Sequence, residues 1–226
     1  MSRVSARLFG IVLVRYLSAV IIMGAVLFLP AGTLRYWNAW VFLAALFLPM
    51  LGAFFFLFRN DPELLEKRMK TKEREKEQRV FVLISGLTLI AGFLLPGFDE
   101  RFSWSSVPLW LVIPATAVMV GGYLLFMTVM KQNSYASRVV EVQEEQRVIT
   151  TGVYSVVRHP MYLAATLIFL SAPLVLDSFW ALIPLGLFSF LFVFRIKNEE
   201  EVLKRGLPGY EDYMRQVRYR LIPYIW

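Results

Sequence analysis

The sequence predicts an all-α fold, a polytopic membrane bundle of about six hydrophobic helices whose last two form a short hairpin. Three observations carry this expectation. First, the 226 residues are 58% hydrophobic and only 18% charged, where a soluble domain carries about a quarter charged residues. Second, six uncharged runs, 16–34, 37–58, 80–98, 107–130, 160–176 and 178–194, reach the roughly 17–25 apolar residues that cross a hydrocarbon core. Third, the basic residues segregate. Of 24 Lys and Arg, 22 lie at Arg3, Arg7 and Arg15, in the loop 59–79, in 131–159, or from Arg195 onward, which leaves Arg35 and Arg101 on the other side. By the positive-inside rule both termini and the two long polar loops are expected in the cytosol, with the chain in the cell inner membrane. The same placement accounts for the net charge of +7 without a nucleic-acid partner.

Taken in order, the first run follows Arg3 and Arg7 but is too long for a signal peptide and ends in no clear small-residue cleavage pattern, so it is read as a retained helix. Arg15 snorkels back to the interface from its first turns. In the loop 59–79, Asp61 as N-cap, Pro62 at the first turn, and the pairs Glu63/Lys67, Glu66/Lys70 and Glu75/Arg79 predict a solvated cytosolic helix. Tyr36, Trp37, Trp40, Trp104 and Trp110 stand near the outer ends of their runs, where interfacial aromatics anchor. The run 160–176 opens at Arg158-His159-Pro160, with proline at a first-turn position that needs no N–H. Only Asp177 parts the last two runs, so they are expected to form a tight hairpin, short enough to stop before full depth. A helix ending at Glu201 would place three carboxylates at its negative end, so this one is expected to continue to about Arg205. The chain thus divides into 1–130, four membrane helices with the charged loop, and 131–226, a C-terminal region that contains the hairpin 160–194 and any chemistry.

Cysteine is absent, which excludes disulfides and thiolate catalysis, and with a single histidine no metal site is expected. What remains is concentrated. Residues 152–162 bring a cation, the only imidazole and the phenols of Tyr154 and Tyr162 to a helix start at the membrane surface. Arg195 and Glu199 stand four apart, on one helical face at the cytosolic end of the last run. Charges at that boundary are costly unless paired or used.

Together these elements are distinctive. Gly152-x-Tyr154-x3-Arg158-His159-Pro160-x-Tyr162, then Arg195-x3-Glu199-Glu200-x2-Leu203, then Tyr210-x2-Tyr213-x3-Val217-Arg218-x2-Leu221-Ile222-Pro223 resembles the isoprenylcysteine carboxyl methyltransferase family and its relatives among phospholipid methyltransferases. The resemblance covers 131–226. It implies an S-adenosyl-L-methionine site built without a Rossmann domain, and no Gly-x-Gly-x-x-Gly follows a strand pattern in this chain. It further implies that Tyr154, His159, Pro160, Met161 and Tyr162 line the cofactor pocket, that Gln146, Arg147, Val148 and Ile149 pass beside it, and that Glu200 is a lesser contact. Arg195 and Glu199 are the implied catalytic pair, placing cofactor and substrate. The implied acceptor is lipophilic or lipidated and arrives from the bilayer. Val153, Ala164 and Leu207-Pro208-Gly209 depart from the family pattern and bear on substrate shape.

Membrane sterol and steroid reductases share Arg-His-Pro-x-Tyr and the ending Val217-Arg218-Tyr219-Arg220-Leu221-Ile222-Pro223, so an NADPH-dependent reductase is the alternative. They often carry an acidic residue soon after the motif tyrosine, where this chain has Leu163-Ala164-Ala165-Thr166. Transport is disfavoured, because the later runs carry no charge through their middles.

Overall fold

The structure, a computed structural model, describes residues 3–69, 76–136, 142–143 and 145–226. It consists of α1 (Arg3–Ala31), α2 (Trp37–Asn60), α3 (Pro62–Met69), α4 (Lys76–Phe102), α5 (Leu109–Gln132), α6 (Pro160–Val175), α7 (Leu182–Gly206) and α8 (Tyr210–Gln216), with a 3-10 turn at Gly152–Ser155 and no strand among the described residues. Lipid offers no partner for backbone N–H and C=O groups, so an apolar run that crosses it must satisfy them internally, as a helix does. Four segments are long and apolar enough to cross: Phe9–Ala31, Trp37–Asn60, Leu83–Phe102 and Leu109–Gln132. The protein is an integral membrane protein built as a polytopic helical bundle. At 16 residues, α6 is about 24 Å long.

The long helices and the hairpin close into a ring. α1 lies on α2 and α4, α4 on α7, α7 on α6, α6 on α5, and α5 on α2. Leu27, Phe42, Phe93, Met119, Ile168 and Leu185 meet in its centre. Between α5 and α6 the backbones approach closely because Gly122 has no side chain: a Cβ there would fall 2.9 Å from Ile168 Cγ1 and 3.0 Å from the Ala164 carbonyl oxygen. Membrane helices associate through such close contacts, since lipid supplies no hydrophobic drive between them.

One end of the ring is tied by polar contacts among the 32–36, 103–108 and 176–181 connections. Asp99, fully buried, accepts from Ser105 N and Ser105 Oγ at 2.6 Å each and from Ser178 Oγ at 2.5 Å. Asp177 accepts from the Val107 N–H, and Asn38 Nδ2 donates to the Val175 carbonyl at 3.0 Å. The hairpin turn therefore reaches the same end as the α1–α2 and α4–α5 connections, farther than its short runs suggest. Trp37, Trp40, Trp104 and Trp110 are exposed there, as anchors should be. Tyr36 is not one of them. It is 1% exposed, and its hydroxyl donates to the Leu176 carbonyl, because the short connection folds it inward over the hairpin turn.

At the opposite end Asp61 caps α3, accepting from Leu64 N at 2.9 Å, and Pro62 occupies the first turn as expected. The pairs Glu63/Lys67, Glu66/Lys70 and Glu75/Arg79 include side chains outside the described residues. α7 continues beyond its apolar run to Gly206, carrying Arg195, Glu199 and Glu200 past the bundle.

The glycine at the α5–α6 contact makes a direct prediction. Gly122→Val is expected to destabilise the bundle by about 1–3 kcal/mol through overpacking. Gly121→Val, one residue away where nothing lies within 4 Å of the added Cβ, should leave the thermal midpoint in detergent nearly unchanged; equal midpoints for the two variants would contradict this packing.

Candidate functional site

Beyond α5 the chain re-enters the fold through a tight polar joint. Gln132 Oε1 accepts from Val153 N at 3.0 Å. Gly152 sits there at φ 61, and a Cβ at this residue would come 2.4 Å from the same oxygen. Glycine satisfies both requirements at once. The 3-10 turn that follows buries Tyr154, whose hydroxyl accepts from Asn133 Nδ2 at 2.8 Å and whose carbonyl accepts from Tyr213 OH at 2.7 Å. Tyr154 is thereby locked between the end of α5 and α8.

Next comes the Arg158-His159-Pro160 corner, which is fixed by Glu200. Glu200 is 1% exposed. Its Oε1 accepts from Arg158 Nε at 2.8 Å, and its Oε2 accepts from Arg220 Nε at 2.8 Å. His159 Nε2 lies 3.3 Å from Oε1; a carboxylate only accepts, so Nε2 carries the hydrogen. Arg158 Nη1 also donates to the Val217 and Arg218 carbonyls at 2.7 and 2.9 Å. The backbone N–H groups of Arg158 and His159 donate to Tyr219 and Arg220 carbonyls at 2.9 Å each. One carboxylate thus joins α7, the start of α6 and the C-terminal segment. Burial works to raise the Glu200 pKa, but the hydrogen bonds from His159, Arg220 and Arg158 outweigh it and lower it to about 2.

The neighbouring carboxylate faces the other way. Glu199 Oε2 accepts from Tyr162 OH at 2.5 Å, and Tyr162 OH accepts from Arg195 Nε at 3.0 Å. The expected Arg195/Glu199 pair is therefore bridged by a phenol. His159 Nδ1 stands 3.9 Å from Glu199 Oε1, and its ring lies 5.8 Å from that of Tyr162. This row forms one wall of a cleft of about 860 Å³, mouth included.

Gln146, Arg147, Val148, Ile149, Tyr154, His159, Pro160, Met161, Tyr162, Arg195 and Glu199 all line that cleft, although 146–149 and 195–199 are far apart in sequence. Glu200 does not. It points behind the wall, into the two arginines, and holds the cleft rather than facing it. Reading the sequence alone gave no role to Tyr210 and Tyr213, which line the cleft as well. Their i,i+3 spacing, which puts both on one face of α8, was the available signal. Tyr213 is paired with Tyr154, whereas the buried Tyr210 hydroxyl has no partner among the described residues. Burial, and after it the Glu200 and Glu199 carboxylates, push the Tyr210 pKa well above its ordinary value, so the hydroxyl keeps its proton.

A cleft of this composition at the end of a membrane bundle can be set beside known proteins. Residues 110–208 match the phospholipid methyltransferase family. That family falls among the isoprenylcysteine carboxyl methyltransferase-like proteins, in agreement with the resemblance read from the motifs. The methyltransferase match runs from the start of α5, through the hairpin, to the end of α7, and so contains the Arg195–Tyr162–Glu199 row. It supports a membrane methyltransferase acting on lipid-like substrates. No curated protein matches the chain.

The Glu200 clamp has a pH signature. The folded pKa of about 2 lies below the ordinary carboxylate value of 4.5, so the stability that the ionised group contributes is complete above about 4.5 and is lost as pH falls toward 2. Glu200→Gln is expected to lower stability at neutral pH by about 3–5 kcal/mol, because it leaves the arginine charges uncompensated, and to flatten the acid limb of the stability profile below pH 4.5. An unchanged acid limb in detergent unfolding experiments would refute the assignment.

Proposed function

We propose that this protein transfers a methyl group from S-adenosyl-L-methionine to a lipophilic acceptor drawn from the cytosolic leaflet. The carrying observation is the Arg195–Tyr162–Glu199 row on the wall of the cleft. It sets a cation, a phenol and a carboxylate side by side at the bundle end opposite the Asp99 ties. The segregation of 22 of 24 basic residues supports a cytosolic position for that end and for both termini, with the chain in the inner membrane.

The residues present fit such a donor. Glu199 offers a carboxylate to a cationic amino group, and Arg195 a guanidinium to an anionic group. The faces of Tyr154 and Tyr162 suit a sulfonium, a contact worth about 0.5–2 kcal/mol. When bound, the cofactor supplies an electrophilic methyl group. The protein's task is then alignment and exclusion of water. Tyr162 holds Arg195 and Glu199 in register, since its hydroxyl donates to one and accepts from the other. Glu200 and Arg158 fix the corner from which His159 and Tyr162 project. Tyr154, locked at both its hydroxyl and its carbonyl, closes the side toward α5. A carboxylate or thiolate acceptor needs no base. For an amine acceptor, His159 and Glu199 are the groups placed to take a proton.

Calorimetry on the detergent-purified protein is expected to detect S-adenosylmethionine and S-adenosylhomocysteine; binding of NADPH in their place would transfer the protein to the reductase reading. Labelled methyl transfer to a panel of prenylcysteine, aminophospholipid and hydrophobic thiol acceptors should identify the substrate class. Glu199→Ala and His159→Ala should each reduce the rate by roughly a hundredfold, as misalignment alone can do. Full activity in both variants would remove the row from the mechanism.

A further inference from the structure

The Tyr210 phenol carries the one buried side-chain oxygen of the cleft wall without a hydrogen-bond partner among the described residues. We infer that the Tyr210 hydroxyl donates a hydrogen bond to the bound cofactor; this gives a role to a motif position that the resemblance left without one, and rests on the methyl-donor reading above.

Contrast with the other site tyrosines is the starting point. The hydroxyls of Tyr154, Tyr162 and Tyr213 are all engaged, with Asn133, with Glu199 and Arg195, and with the Tyr154 carbonyl. Tyr210 belongs to the same wall and is 4% exposed, yet its oxygen has no partner among the described residues and is closed off from solvent. Leaving a buried hydroxyl unpaired costs about 1–3 kcal/mol, and folded proteins rarely tolerate it without a compensating use. A phenol also fills space no better than phenylalanine at this position, so packing alone does not account for the oxygen.

Position selects the partner. Tyr210 packs with Leu207, Tyr213 and Val217, beside Val142 and Val148, which is the side of the cleft formed by residues 146–149. The apolar flank lies elsewhere, where Tyr162, itself on the cleft wall, packs with Leu163 and the buried Phe188 and Phe192 of the hairpin. A lipophilic acceptor suits that second flank. The group nearest Tyr210 is therefore an acceptor atom of the polar cofactor. With burial, and after it Glu200 and Glu199, keeping it protonated, the phenol has a hydrogen to donate, suited to a carboxylate, hydroxyl or ring-nitrogen acceptor.

Tyr210→Phe separates this role from packing. Removal of an unpaired hydroxyl should leave the unliganded thermal midpoint unchanged or raise it, while weakening S-adenosylhomocysteine binding by roughly five- to tenfold, the scale of one hydrogen bond. Tyr213→Phe, which breaks the bond to Tyr154, should instead lower the unliganded midpoint. Equal affinity of Tyr210→Phe and wild type for S-adenosylhomocysteine would overturn the inference alone. A midpoint loss in Tyr210→Phe as large as in Tyr213→Phe would also overturn it, by revealing a structural bond. Failure of the wild type to bind S-adenosylhomocysteine would overturn the methyl-donor reading and this inference with it.

Discussion

A single buried carboxylate holds the working end of this protein together. Glu200 accepts from Arg158, Arg220 and His159, and those three donors bring the start of α6 and the C-terminal segment onto one turn of α7. Burying a charge is favourable only when its lone pairs are filled, and here the contacts from two guanidinium groups and an imidazole fill them. The C-terminal segment is joined to the corner before α6 through the carbonyls that Arg158 and the 158–159 backbone address, and to α7 through Leu221 and Trp226 beside Ile196. The charged wall of the cleft is thus backed by one satisfied ion cluster placed just behind it.

The far end of the bundle is organised by the same logic with different groups. Asp99 is satisfied by two serine hydroxyls and one backbone N–H, all neutral donors, and Asp177 by a backbone N–H. Both ends of the ring are therefore fastened by carboxylates, while the middle relies on close apolar contact such as that of Gly122 with α6. This division follows from the solvent: polar ties are affordable only where the helices emerge from hydrocarbon.

Much of this was legible in the sequence, because membranes impose simple rules. Run lengths marked the four long apolar helices and the shorter hairpin, the placement of arginines and lysines gave an expected orientation, and the carboxylates at 199–201 foretold that α7 continues past its apolar run. Of the site residues expected from the motifs, all but Glu200 line one cleft. The misses share a cause. Sequence spacing reports the face of a helix, but not what a connection folds over, so Tyr36 read as an interfacial anchor although it closes over the hairpin turn. The short runs of the hairpin likewise understated its reach, since its turn residues extend it to the Asp99 cluster. Tyr210 and Tyr213 stood in a visible motif, but only their tertiary surroundings distinguish a paired phenol from an unpaired one.

Glu199 and Glu200 are adjacent in sequence, yet one faces the cleft and the other faces away from it, because successive helical residues are about 100° apart. Chemistry and scaffold are consequently encoded in the same turn of α7, and neither can be altered by sliding the helix. A one-residue insertion between Phe194 and Arg195 would rotate the whole charged turn by about 100°, carrying Glu199 to the direction of Arg158 and Arg220 and Glu200 on to the exposed direction now held by Glu201. The helix therefore has a single permitted phase, set at its charged C-terminal tip rather than along its apolar length, where Ile, Leu and Phe exchange neighbours at little cost.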